Sequence, residues 1–163
     1  MTGLKPREFV WVIAGRLAVC ERIGGYGFQH RRVRREEEIA WLRREAKITS
    51  IVSLLPGNQN VSAYEDAGFK VLHCPFGPED ENGSLMPFFS TLDEALKDKK
   101  SVVLVHRDTI DEGIGGLLAG YLVHAGYLDD PIIASAVIQE ILGKPLGPKA
   151  RAMIRVPERF TRD

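Results

Sequence analysis

The stretch SVVLVHRDTIDEGIGGLLAGYLVHAG, residues 101–126, decides how the rest of the chain is read. Four consecutive aliphatic residues, Val102 to Val105, follow a lysine-rich segment and stop at His106, the pattern of a short buried strand. A polar loop, residues 106–113, comes next. Ile114, Leu117, Leu118, Tyr121 and Leu122 then recur at helical spacing. A strand that feeds a tight loop and a buried helix aims backbone N–H groups and a helix N-terminus at one point, which suits an anion. The stretch therefore predicts the geometry of a phosphate cradle, and its side chains decide what chemistry goes with it.

The flanking sequence extends the same alternation. Residues 9–20, FVWVIAGRLAVC, are rich in β-formers and broken at Ala14-Gly15-Arg16, which predicts two short strands with a turn between them. Gly24-Gly25-Tyr26-Gly27 reads as a flexible loop. Over residues 33–46 the spacing turns helical, with Ile39, Leu42 and Ala46 on one face and Arg34 four residues before Glu38. ITSIVSLL, residues 48–55, is a second buried strand stopped by Pro56-Gly57, and residues 61–67 a short helix ended by Gly68. Residues 69–76 predict a third strand, 77–84 a polar loop, and 85–96 a helix with Phe88, Phe89, Leu92 and Leu96 inward.

Beyond the central stretch, Pro131 opens a helix over 132–142 closed by Gly143, and 148–154 forms a last short helix. Strands alternating with helices predict an α/β fold of three layers, a mostly parallel central sheet flanked by helices. On such a sheet functional groups gather at the carboxyl ends of the strands. Here those ends are the Gly24 loop, Pro56 onward, the 77–84 loop and the His106 loop.

Composition bounds the rest. A chain of 163 residues, 44% of them hydrophobic, suits one well-packed domain, expected over residues 1–154 with a charged tail over 155–163. Lysine plus arginine and aspartate plus glutamate balance at 22 each, so no net field draws the chain to nucleic acid or an anionic membrane. Cys20 and Cys74 lack metal-ligand spacing, and no cofactor or metal is expected. No basic-then-apolar leader and no apolar run of roughly 18 residues is present, which points to a reduced, cytoplasmic setting.

In order and spacing these segments resemble the dual-specificity branch of the cysteine-dependent protein tyrosine phosphatases, across nearly the whole chain. VIAGRLAV looks like that family's first strand, ITSIVSLL its second, and FKVLHCPFGPED the strand that leads to its general-acid loop. The family's most specific motif is a histidine-cysteine pair, five residues, then arginine and a hydroxyl residue, followed by glycine and a helix with an alanine and a tyrosine. Val105, His106, Gly115, Ala119, Tyr121 and Leu122 keep that frame.

The resemblance puts the nucleophile position at Arg107, the phosphate-binding arginine at Gly113 and the hydroxyl residue at Ile114. The family mechanism requires a thiolate of lowered pKa to attack phosphorus, which arginine cannot do. It also requires a bidentate guanidinium on the phosphoryl oxygens, which glycine cannot supply. The loop has changed sign as well: Arg107 against Asp108, Asp111 and Glu112 is one positive and three negative charges, formally −2. The resemblance therefore implies a degenerate phosphate loop and a pseudophosphatase, a binding or regulatory module for an unknown protein or phosphorylated ligand.

Other groups offer alternatives. His106, Asp108, Asp111 and Asp80, with Glu112, would make a repurposed, cysteine-independent hydrolytic or phosphatase-like site. Asp80 is also the preferred general-acid candidate in the resemblance, beside Glu79 and Glu81. The basic run 30–35 offers Arg31, Arg32 and Arg35 to an anion or an acidic partner, or else solvates a surface helix in which Arg34 pairs with Glu38. His73-Cys74 is a second histidine-cysteine pair, but Asp80 stands where its arginine would be, so Cys74 reads as a strand residue and Cys20 as a core residue. His124 falls near a helix end, where a cation is favourable. A structural or oligomerising role predicts an apolar patch involving Trp11, Trp41 or Phe160.

Overall fold

The break at Ala14-Gly15-Arg16 is a hairpin turn: Gly15 takes a positive φ of 71°, which glycine adopts without strain. It joins strand β1, Val10–Ile13, to β2, Leu17–Glu21, in antiparallel pairing. Arg16 in the turn donates to the carbonyls of Leu96 (2.9 Å), Ser101 (3.0 Å) and Asp98 (3.1 Å), tying the hairpin to the segment before the last strand. The computed structural model describes residues 3–58, 60–76 and 85–154. These fall in two compact units, residues 1–76 with 91–109 and residues 77–90 with 110–163.

The first unit holds the sheet. Strands β3, Ser50–Ser53, β4, Lys70–His73, and β5, Val103–Arg107, complete five strands in the order β1-β2-β5-β3-β4, parallel everywhere except at the hairpin. The class is thus α/β with a mostly parallel sheet. Helix α1, Arg32–Arg44, and α2, Val61–Asp66, bury Leu42 and Tyr64 in a core with Phe9, Ala18, Ile51, Phe69 and Leu104. Each fully buried aliphatic or aromatic side chain of this kind contributes about 1.5–3 kcal/mol over an exposed one. Trp11 and Trp41 are half-buried with their rings edge-on to Phe9, at 5.4 and 4.9 Å. The exposed large apolar side chains described in this unit are instead Leu4, Tyr26, Phe28 and Val33. Phe160 lies outside the described residues.

The second unit is helical. Helix α3, Met86–Leu96, enters it with Phe88 and Phe89, which pack on Tyr121 at 6.5 and 6.0 Å between centroids. Helix α4, Glu112–His124, is buried from Gly113 to Val123, with Gly116 and Gly120 admitting the Ala150 and Met153 backbone and Gly115 the Leu146 side chain. A Cβ on Gly116 would stand 2.5 Å from the Ala150 carbonyl oxygen. Helix α5, Pro131–Leu142, starts on Asp130, whose carboxylate accepts from Ile132 N at 2.8 Å, and stops at Gly143 with φ 68°. Helix α6, Pro148–Arg151, is one turn.

Several segments differ from expectation. The third strand ends at His73 rather than reaching residue 76, because only Lys70 to His73 keep register with β3 before Pro75 forbids a ladder N–H. The loop after the central strand is shorter than residues 106–113, since His106 and Arg107 pair with Cys20 and Glu21 of β2. The Gly24 loop is pinned rather than loose: Gly25 N donates to Arg22 O and Arg31 N to Gly24 O. Residues 77–84 and the charged tail 155–163 lie outside the described residues. No described helix is long and apolar enough to cross a membrane.

Candidate functional site

Parallel strands leave their carboxyl ends at one edge of the first unit, and His106 is the penultimate residue of β5 there. It is fully buried, and both ring nitrogens are engaged. Ile23 N donates to Nδ1 at 3.4 Å, so the ring proton sits on Nε2 and is donated to Ser53 Oγ at 2.9 Å. The Tyr64 ring stands edge-on at 5.6 Å. Burial, with Arg22 and His73 adding positive charge, lowers the His106 pKa to about 3. A neutral imidazole with both nitrogens taken is a structural pin with no free position for proton transfer or a metal.

Arg107, the last residue of β5, is half-buried with its guanidinium 5.3 Å from the centre of the Phe76 ring, at cation–π distance. Asp108 follows and faces Arg22, its Oδ1 lying 3.8 Å from Nη1. In the second unit Asp111 is the N-cap of α4 and accepts from Ile114 N at 3.1 Å. Glu112 accepts from Gly147 N, and Gly113 is buried. Lys144 Nζ reaches the Ile110 carbonyl at 2.5 Å. Each of the three loop carboxylates thus has a local partner in its own unit. Among the described residues no three His, Cys, Asp or Glu side chains converge as a metal site requires. Asp80 lies outside the described residues.

Of the basic run, Arg31 turns back on the Phe28 and His30 carbonyls at 2.6 and 2.9 Å. Arg32 pairs with Glu36 at 3.1 Å in solvent. Arg35 differs: its Nη1 donates to Asn60 Oδ1 at 2.8 Å in a partly buried setting. Arg34 and Glu38 form the pair their spacing predicts, at 2.6 Å, but Glu38 is buried rather than solvated. Its second oxygen accepts from Gly24 N at 2.8 Å.

Cys20 does not resemble an activated nucleophile. Cys20 lies inside β2, and burial pushes its thiol well above the ordinary value, with Glu38 and Glu21 reinforcing the effect. Cys74 is half-buried just past β4 and donates its backbone N–H to Ser53 O. His124 ends α4, with its ring stacked on Phe89 at 4.8 Å.

Sequence reasoning passed over Arg22, the residue after β2, which faces Asp108 and acts on His30, Tyr64 and His106. Its position at the carboxyl end of a parallel strand was the available signal.

The fold is that of the dual-specificity and tyrosine phosphatases. The core catalytic domain of the PP-IP phosphatase Siw14 from S. cerevisiae, solved with citrate, superposes with a TM-score of 0.67 at 14% identity, covering 93% of this chain and 86% of that one. Kinase-associated phosphatase, with its catalytic cysteine replaced by serine, gives 0.69 at 16% identity and covers 93% of each chain. PTPMT1 in complex with PI(5)P gives 0.64 at 11% identity, over 87% of this chain and 89% of that one. No protein-family model and no curated protein matches the sequence.

Proposed function

We propose that this chain carries the phosphatase fold without cysteine-dependent phosphoryl transfer, and acts as a binding or regulatory module, a pseudophosphatase. The observation that carries the reading is the β5–α4 segment. Where the resembling family has its cysteine this chain has Arg107, turned onto Phe76, and where it has its phosphate-binding arginine this chain has buried Gly113. Transition-state clamps of that kind are commonly worth several kcal/mol each, and losing nucleophile and clamp together removes the route. The remaining thiols do not replace it. Cys20 is sealed in the core with its pKa raised, and Cys74 has no arginine six residues on.

Asp108 faces Arg22, Asp111 caps α4 and Glu112 accepts from Gly147 N, engagements that weigh against a substitute hydrolytic site built on these carboxylates. The test is the covalent intermediate through which the family's chemistry passes. The full chain is mixed with an aryl phosphate, quenched in acid and weighed intact by mass spectrometry. The expected spectrum shows only the unmodified chain, and a phosphoryl adduct mapping to a cysteine would overturn the reading.

A further inference from the structure

The even balance of charge over the whole chain conceals a local excess. Residues 22–35, RIGGYGFQHRRVRR, hold five arginines and no aspartate or glutamate. Arg22, Arg32 and Arg34 face Asp108, Glu36 and Glu38. Arg31 is bonded instead to the Phe28 and His30 carbonyls, and Arg35 to Asn60, uncharged oxygens that leave both charges unneutralised. Arg7, from the segment before β1, brings another cation to the same place by reaching Gln29 Oε1 at 3.4 Å.

The same stretch puts apolar side chains into water. Phe28 is 99% exposed, Val33 71% and Tyr26 40%. Single exposed apolar residues are ordinary, but three within eight residues, set among arginines, form a patch that calls for a partner. The turn that carries them is well held. Gln29 N donates to Tyr26 O at 3.0 Å and His30 N to Gly27 O at 3.3 Å, closing a single 3-10 turn, Gly27–Gln29, with Phe28 at its centre. Its base is buried from Ile23 to Gly25, and Glu38 accepts from Gly24 N at 2.8 Å. A Cβ on Gly25 would stand 2.9 Å from the Gln29 carbonyl oxygen. A packed base thus holds an unpacked ring out in solvent, and little further order is needed for it to dock.

We infer that residues 26–33 are a docking surface for an anionic lipid bilayer, with Phe28 entering the interface and Arg7 and Arg31 against the headgroup phosphates. A protruding ring suits a bilayer, which yields around it, and a tyrosine beside it suits the headgroup level, where one end is apolar and the other wet. Guanidinium groups pair well with phosphate, and each cation near an anionic surface adds to the attraction. An acidic polypeptide would satisfy the arginines and leave Phe28 in water. The chain would lie on the membrane, since no described helix is long and apolar enough to cross it. The inference holds whether or not the chain turns over a phosphate ester.

Co-sedimentation of the full chain with phosphatidylcholine vesicles containing about one-third phosphatidylserine tests it, against vesicles of phosphatidylcholine alone. The expected result is partitioning onto the anionic vesicles about tenfold or more above the neutral ones, weakened by added salt. Phe28→Ser should lower it about tenfold, and Arg7→Gln and Arg31→Gln about fivefold each. Ile132→Ser, at an exposed apolar position in the second unit, should leave it unchanged. All four side chains are exposed, so the fold does not depend on them. Phe28→Trp should keep the binding and shift its emission to the blue when vesicles are added. No partitioning, partitioning that ignores Phe28→Ser, or equal partitioning onto neutral vesicles would each overturn the inference. So would polyglutamate bound alike by the wild-type chain and Phe28→Ser while vesicles are ignored, an outcome that gives the patch to an acidic protein partner.

Discussion

Ser53 and His106, on the adjacent parallel strands β3 and β5, share a buried hydrogen bond of 2.9 Å from the imidazole Nε2 to the hydroxyl. With Ile23 N on the other nitrogen, it holds the carboxyl ends of β2, β3 and β5 in one frame through a neutral ring. The bond has a thermodynamic consequence. His106 has a folded pKa of about 3, below its ordinary 6.5, so the unfolded chain binds this proton first as the pH drops. The contribution is fully present above pH 6.5 and is lost as pH falls from there toward 3. Its slope approaches about 1.4 kcal/mol per pH unit for one proton. Denaturant midpoints measured from pH 7 to pH 4 should fall steeply for the wild-type chain and less so for His106→Asn.

Glu38 carries a second buried polar arrangement, joining Arg34 and the Gly24 N–H. Replacing it by alanine leaves that amide and a largely buried guanidinium without their acceptor, at a cost of about 3 kcal/mol. Glu38→Gln keeps an acceptor and should cost less. Urea unfolding of both variants checks the order, and equal losses would mean that the charge rather than the acceptor matters.

The two thiols should separate by reactivity. Cys20 is fully buried with a raised pKa, whereas Cys74 is half-buried past the end of β4. A thiol-disulfide reagent at pH 8 should modify Cys74 in the native chain and reach Cys20 only after denaturant is added. Two thiols of equal native reactivity would refute the placement of Cys20 in the core.

The glycines of α4 differ in what surrounds them. An added methyl at Gly115 meets the end of the Leu146 side chain, which can turn aside, while at Gly116 it meets the Ala150 carbonyl at 2.5 Å. Gly116→Ala should destabilise by about 1–3 kcal/mol, in the range of overpacked cores, and Gly115→Ala by less. Thermal melts of the two variants give the comparison directly.

Much of this architecture was legible in the sequence because its signals are local. The aliphatic run before His106, the Ala14-Gly15-Arg16 break, and the Pro131 and Gly143 pair each encode an element through propensity or turn chemistry. The strand ends were less legible, because pairing with a neighbour decides them: β2 draws His106 and Arg107 into β5. The polar site depended on burial, which spacing reports weakly. Glu36, Glu37 and Glu38 look alike in the sequence, yet only Glu38, four residues before Leu42, falls on the buried stripe. Arg22 stands alone after its strand, and its importance emerges only when Asp108, Tyr64 and His106 are brought beside it.

The central claim is that this chain keeps a phosphatase fold and lacks the fold's thiolate chemistry. Steady-state hydrolysis of an aryl phosphate, measured side by side for the wild-type chain and a Cys20→Ser/Cys74→Ser double variant between pH 5 and 8, tests it most directly. The account predicts that neither protein exceeds the buffer rate. Turnover by the wild-type chain that disappears in the double variant would contradict it.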